Sequence, residues 1–278
     1  MKNIYRYHYI SFILILFSFL ISCTDTVDVD VPNAGARLVV DASIIWEKGT
    51  SGQTQTIKLS ESTGFFDSNT SVPITGALVT VTNEGDGMQF VFEDQNNGDY
   101  VTNNFIPELN QQYALEIQYN GQTYTATETM MSVSDINFIE QTIEGDLEEE
   151  EIQLKTFFND PANIDNYYLG EFIPSNLPLL TLASLSDEFT DGNENFIEYD
   201  NEDLVAGVTV DINLYGISER YYNYMSILIQ QADDAGPGIF ATTPVQLRGN
   251  CVNSNNPNEE VLGYFRLGEV TKTSYTIN

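Results

Sequence analysis

Apolar and polar residues alternate with period two along much of the chain after residue 36. In "RLVVDASIIW" the residues Leu38, Val40, Ala42, Ile44 and Trp46 share one face, and in "QTIKLSES" Ile57 and Leu59 do the same. "GALVTVTN" sets Val79 and Val81 against Thr80 and Thr82, and "QFVFED" and "NNGDYV" follow after short turns. A period of two marks a strand with one buried face. The clearest hairpin is "QYALEIQYNGQTYTATE": Tyr113, Leu115, Ile117 and Tyr119 lie on one side, and Tyr124 and Ala126 continue the return strand. Its Asn120-Gly121 pair is the favoured two-residue turn of type I′. Six or seven short strands with frequent turns predict an immunoglobulin-like β-sandwich over residues 37–131. Trp46 belongs to an apolar series and reads as core, not as a ligand platform.

Beyond Met131 the pattern predicts a second β-rich domain, 132–278, containing one amphipathic helix. Strands are expected at "INFIEQT", "EIQLKTFFND", "NYYLGEF" and "VAGVTVDINLYGIS", and again in "EEVLGYFRLGEVTKTSYTI". Between Pro174 and Asp203 the alternation fades into what reads as an acidic, loop-rich insertion. "SERYYNYMSILIQQAD" carries helical spacing, with Tyr221, Tyr224, Met225, Leu228 and Ala232 on a face. Ser218 is placed to cap it, with Glu219 in the first turn. The tyrosines of that face could stack on sugars, but an apolar stripe at this spacing is the ordinary mark of a core-facing helix. The fold class is therefore mainly β.

The first residues follow a different rule. Lys2 and Arg6 precede an apolar run from Ile10 to Ile21 that shows no polar face and ends at Cys23, where aspartates begin. Twelve residues are too few to cross a bilayer, which needs about 20. A charged start and a short apolar core describe a secretory signal peptide, residues 1–22. Leu20-Ile21-Ser22-Cys23 resembles the bacterial lipobox, with a branched apolar residue at −3 and a small one at −1. Cys23 is thus expected to become a lipidated N-terminus, followed by an acidic tether over 23–36.

Charge narrows the possible partners. Of the 278 residues, removal of 1–22 takes Lys2, Arg6 and the single histidine His8 but no acid. Eight basic and 41 acidic residues remain, a formal charge of −33. Nucleic acid binding rests on Lys and Arg neutralising phosphates, so it is not expected. Anionic headgroups would repel the body, and an acyl anchor removes that difficulty, each buried CH₂ contributing about 0.8 kcal/mol. Without histidine the Ser-His-Asp and Cys-His arrangements lack their base, and His-based zinc sites lack their ligands. Cys251 has no intrachain partner once Cys23 carries lipid, so folding should need no disulfide; it reads as a small buried hydrophobe.

The segments "RLVVDASI", "VPITGALVTVT", "NNGDYV" and "YALEIQYNGQTYTAT", followed by "FFNDPANIDNYYLGEF" and "RGNCVNSNNPNEEVLGYF", resemble in order and spacing the DUF4249 family of Bacteroidetes lipoproteins. The resemblance spans nearly the whole mature chain. It implies an outer-membrane lipoprotein, often accompanied by a TonB-dependent receptor, with no established catalytic activity and no functional residues to carry over. Cys251 departs from it, standing where a branched aliphatic residue is expected.

One acidic stretch has a spacing of its own. In "DGNENFIEYDNED", Asp191, Asn193 and Asn195 alternate, and Glu202 is twelfth from Asp191, echoing the oxygen spacing of a calcium loop. Phe196 occupies the position where that loop needs glycine, so a solvated acidic loop, with no firm metal site, is the expectation. No catalytic residue and no cofactor is expected. Carboxylate pairs serve glycosidases, but 41 acids single out none. Two functions follow: an accessory lipoprotein docking on a TonB-dependent β-barrel, or a free-standing adhesion or glycan-binding module. Acids soon after Cys23 (Asp25, Asp28, Asp30) resemble export signals of surface lipoproteins, which favours an outer-membrane body facing the exterior.

Overall fold

A computed structural model describes residues 35–64, 72–144, 151–233 and 245–278. The signal segment, Cys23 and the tether as far as residue 34 lie outside them. The chain divides into Met1–Gly35 and a compact unit, Ala36–Asn278.

The first strands of the compact unit are β1 (Leu38–Glu47), β2 (Gln55–Glu61), β3 (Val72–Pro73), β4 (Leu78–Asn83), β5 (Gln89–Asp94), β6 (Asp99–Thr102), β7 (Gln112–Tyr119) and β8 (Gln122–Thr129), and all but the two-residue β3 fall where the alternation put them. β1-β2-β6 pair in one layer and β5-β4-β7-β8 in the other, the opposed antiparallel layers of an immunoglobulin-type sandwich. β5 turns the corner, pairing with β4 through Gln89–Phe92 and with β6 through Glu93 and Asp94. Val40, Ala42, Ile44 and Ile57 face Val79, Val81, Leu115 and Ile117 in one core. Asn120 and Gly121 both have positive φ, 48° and 74°, as a type I′ turn requires. Trp46 departs from the expectation: it is only half-buried at the end of β1, and its Nε1 donates to the Thr50 carbonyl at 3.0 Å.

Tyr113, at the start of β7, closes the sandwich. Its ring is fully buried, and its hydroxyl donates to the Ile106 carbonyl (3.0 Å) and accepts from the Glu108 amide (2.9 Å). This is the tyrosine corner of immunoglobulin-type sandwiches. Tyr113→Phe keeps the ring and orphans both backbone groups, so it should cost about 1–2 kcal/mol. A lowered urea midpoint at unchanged slope would show this; a wild-type midpoint would contradict it.

The remaining elements are β9 (Ile136–Glu144), β10 (Glu151–Asn159), β11 (Tyr167–Pro174), β12 (Thr181–Ser186), β13 (Glu194–Asp200), β14 (Thr209–Ile217), α1 (Glu219–Asp233), β15 (Val252–Asn253) and β16 (Leu262–Thr276). Two strands, β12 and β13, occupy the region expected to be loop. In β13, Asn195, Ile197 and Tyr199 are buried while Glu194, Phe196, Glu198 and Asp200 are exposed. Its outward acids hid a regular strand. β12 is half-buried along most of its length and shows no alternation to read.

β13-β10-β9 form a three-stranded sheet. Leu154, Phe158, Ile197 and Tyr199 from it share a core with Tyr168 and Phe172 of β11 and Val210, Ile212 and Leu214 of β14. Helix α1 buries Tyr221 and Met225 in a third cluster with Leu169, Tyr215, Tyr264 and Val270. Ser218 caps the helix as expected, its Oγ accepting from the Tyr221 amide at 3.2 Å. Leu228 and Ala232, expected on the buried face, are exposed, and Tyr222 and Ile229 pack instead. No helix among the described residues is long and apolar enough to cross a membrane.

The cut expected between residues 131 and 132 separates strands that β16 joins. Its first part pairs in parallel with β1, Val39↔Leu262 to Glu47↔Val270, and its last part pairs antiparallel with β14. Cys251, Val261, Phe265 and Leu267 thereby enter the core of the first sandwich. β15 adds to the edge of β8.

Candidate functional site

Two loops converge at one end of the β11 layer. The β10–β11 loop carries Asp160 to Asn166, and the β12–β13 loop carries Asp187 to Asn193. Three carboxylates each take a backbone amide of the other loop. Asp160 accepts from Gly192 N at 2.9 Å, Asp187 from Asn166 N at 2.8 Å, and Asp191 from Asn163 N at 2.8 Å. The Tyr168 hydroxyl also donates to Asp160, at 2.6 Å. Asn163 and Gly192 bend the loops through positive φ, 66° and 72°. A Cβ on Gly192 would strike Ala162.

The result concentrates negative charge. Asp160 and Asp187 are buried, 6% and 2% exposed, while Asp191 reaches the surface. One oxygen from each lies within 4.8 Å of the others. None of the ion pairs among the described residues involves them. Burial pushes the Asp187 carboxyl above its ordinary range; the Asn166 amide opposes this, and Asp160, Asp191 and Asp165 add to it.

Asp187 also faces a solvent-open cleft of about 400 Å³ between β11, β12 and the first turn of α1. Its walls carry the carboxylates of Asp165, Asp187, Glu188 and Glu219 and the rings of Tyr167 and Tyr222. Those rings lie 5.1 Å apart at 41°. No lysine or arginine lines the cleft. The Tyr167 hydroxyl is pushed up by burial and then by Glu219, Asp165, Asp187 and Glu188. Carboxylates beside aromatic faces suit a cationic group, which gains charge pairing and cation–π attraction together.

The calcium-loop spacing does not assemble. Asp191 joins the cluster, but Asn193 turns its amide back onto the Thr190 and Asp191 carbonyls, and Asn195 is buried in β13. Glu202 is exposed past the far end of that strand. Seven extended residues put roughly 20 Å between the two ends. Asp160 and Asp187 were missed by sequence reasoning. Asp160 has a local signal in the turn dipeptide Asp160-Pro161, whereas Asp187, between Ser186 and Glu188, has none.

Two other features bear on chemistry. Cys251 is buried and its thiol is pushed up to about 12 by burial, which keeps it protonated and unreactive. On the outer face of the three-stranded sheet, Phe138, Phe157 and Phe196 form a row across paired strands, with Phe138 and Phe196 49% and 39% exposed. Phe138 and Phe157 stack on each other at 4.6 Å and 14°, and the Lys155 ammonium sits over Phe196 at 5.5 Å.

Strand pairing and cores thus define a mainly β protein with an immunoglobulin-type sandwich, extended by a second β layer and one helix. The chain belongs to the family described as "Domain of unknown function (DUF4249)", whose model matches residues 24–274. No curated protein matches it significantly. Among solved structures, a two-domain fibronectin type III segment of chicken tenascin is 12% identical, covering 58% of this chain and 83% of that one at a TM-score of 0.22. The first three fibronectin domains of chicken CNTN1 are 13% identical, covering 68% and 63% at 0.28. Scores this low carry no argument, and the sandwich rests on its own strand order.

Proposed function

We propose that this protein is a non-catalytic, lipid-anchored accessory protein of the outer membrane. Cys23 carries the anchor, the body faces the exterior, and a TonB-dependent β-barrel is its partner in capturing or delivering a ligand. The observation that carries the reading is the cleft of Asp165, Asp187, Glu188 and Glu219 with the Tyr167 and Tyr222 rings. It offers charge and aromatic surface for recognition, but neither an activated nucleophile nor an imidazole base. A net acidic body steers towards a basic surface. Tethering beside other membrane proteins raises effective concentration, so a modest interface suffices.

Mild detergent extraction should co-purify a TonB-dependent β-barrel, more at low salt than at high, because exposed charges are screened within about 8 Å at physiological ionic strength. Recovery independent of salt, or of no barrel at either salt, would oppose the reading.

A further inference from the structure

We infer that β9 is a docking edge for an extended, basic and apolar segment of another protein, which adds to the three-stranded sheet as a further strand. The edge is separate from the acidic cleft, and the inference is independent of the reading proposed above.

The order β13-β10-β9 leaves β9 outermost. Among the described residues it pairs with β10 alone, and no backbone hydrogen bond from elsewhere reaches it. Every second residue of such a strand turns its amide and carbonyl away from the sheet, a template for one more strand. The pairing with β10 is regular from Phe138 to Glu144 and slips by one residue at Asn137. The regular stretch extends for about 23 Å. It contains no proline or lysine, residues that commonly guard an exposed edge. Asn278 approaches β9 but bonds to the side chain of Gln141, not to the strand's backbone.

Side chains along the edge define what fits it. On the outer face Phe138 ends the aromatic row, stacked on Phe157 and 49% exposed. Glu140 follows on that face and is exposed, and Ile143, on the opposite face, is 62% exposed. Every pairing in this sheet is antiparallel. An antiparallel newcomer would set apolar side chains against Phe138 and Ile143 and a base against Glu140, cross-strand pairs that stabilise sheets. Read from its N-terminus, the segment carries an apolar residue, a base three positions later and an apolar or aromatic residue two beyond that. Charge disfavours a second copy of this chain. Residues 140–151 hold seven acids and no base, so two copies meeting edge to edge would bring like charges together. β13, the other edge, exposes one large apolar residue, Phe196, among Glu194, Glu198 and Asp200.

The probe is the heptapeptide Lys-Val-Thr-Gln-Lys-Val-Tyr, which in antiparallel register sets a valine against Ile143, a lysine against Glu140 and the tyrosine against Phe138. Titrated by calorimetry into the full chain in mild detergent, it should bind once per chain. Two further forms carry N-methyl groups on alternate amides, one set each. One form should lose binding and the other keep it, because only alternate amides of a strand face a given neighbour. Replacing both lysines by glutamate should abolish binding. Glu140→Lys, at an exposed position, should keep the Tm of the unaltered chain and bind the peptide about fivefold more weakly or worse. No binding, equal binding by the two methylated forms, or undiminished binding by Glu140→Lys would overturn strand addition. A dimer in sedimentation that the peptide dissociates would assign the edge to a second copy and overturn the inference as well.

Discussion

Gly216→Ala should strip the fold of a large part of its stability. The linker between the two halves, Met131 to Val133, runs over the end of β14 and is pinned there. The Glu269 amide donates to the Met131 carbonyl at 2.8 Å, and the Glu269 carboxylate accepts from the Val133 amide at 3.1 Å. A Cβ on Gly216 would fall inside the Ser132 carbonyl, and one on Gly268 inside the Gly216 carbonyl. Both obstacles are backbone, so no side chain can swing aside. Overpacking of a tight site costs about 1–3 kcal/mol, occasionally more, and a clash with fixed backbone sits at the high end, about 3 kcal/mol or beyond. Since whole domains hold only about 5–15 kcal/mol, urea unfolding should begin at much lower concentration. A variant with the wild-type midpoint would show that the linker does not cross where described.

The second large effect is on location. Cys23→Ala should abolish labelling by a fatty-acid probe and move the protein from the membrane to the soluble fraction. Twelve apolar residues span about 18 Å as a helix, well short of a hydrocarbon core of about 30 Å. With eight basic residues against 41 acids after residue 22, the body has little attraction for anionic headgroups. Attachment then depends on acyl chains, and stable anchoring takes two signals or more. A mature form beginning elsewhere and remaining soluble, or a labelled Cys23→Ala variant, would contradict the anchor.

The physical origin of each feature explains how much of it was legible. Strands β1, β2, β4, β7 and β8 announce themselves because one face meets a core and the other meets water. The cap at Ser218 was equally visible, since capping depends on one side chain and the backbone amide three residues on. The parallel pairing of β16 with β1 was not, because its partners lie some 220 residues apart and no local pattern records a partner. Leu228 shows the limit of periodicity, fitting the helical stripe yet lying exposed beyond the reach of the sheet. The carboxylate cluster was half legible. The acidic stretch drew notice to Asp191, but Asp187 precedes that stretch in the same loop and Asp160 comes from the β10–β11 loop, brought close by the pairing of β10 with β13 and of β11 with β12. A spacing rule written for one loop cannot find oxygens contributed by two.

Photocrosslinking on living cells decides whether the acidic cleft meets a barrel partner. A photoreactive residue at Asn223, on the cleft wall, is compared with one at Asp86, in the exposed turn between β4 and β5. A cleft that docks on the barrel should give a crosslink to a TonB-dependent β-barrel from position 223 and none from position 86, weakening as salt rises. Crosslinks to polysaccharide alone, or none to a barrel from the cleft, would contradict such docking and favour a free-standing binding module.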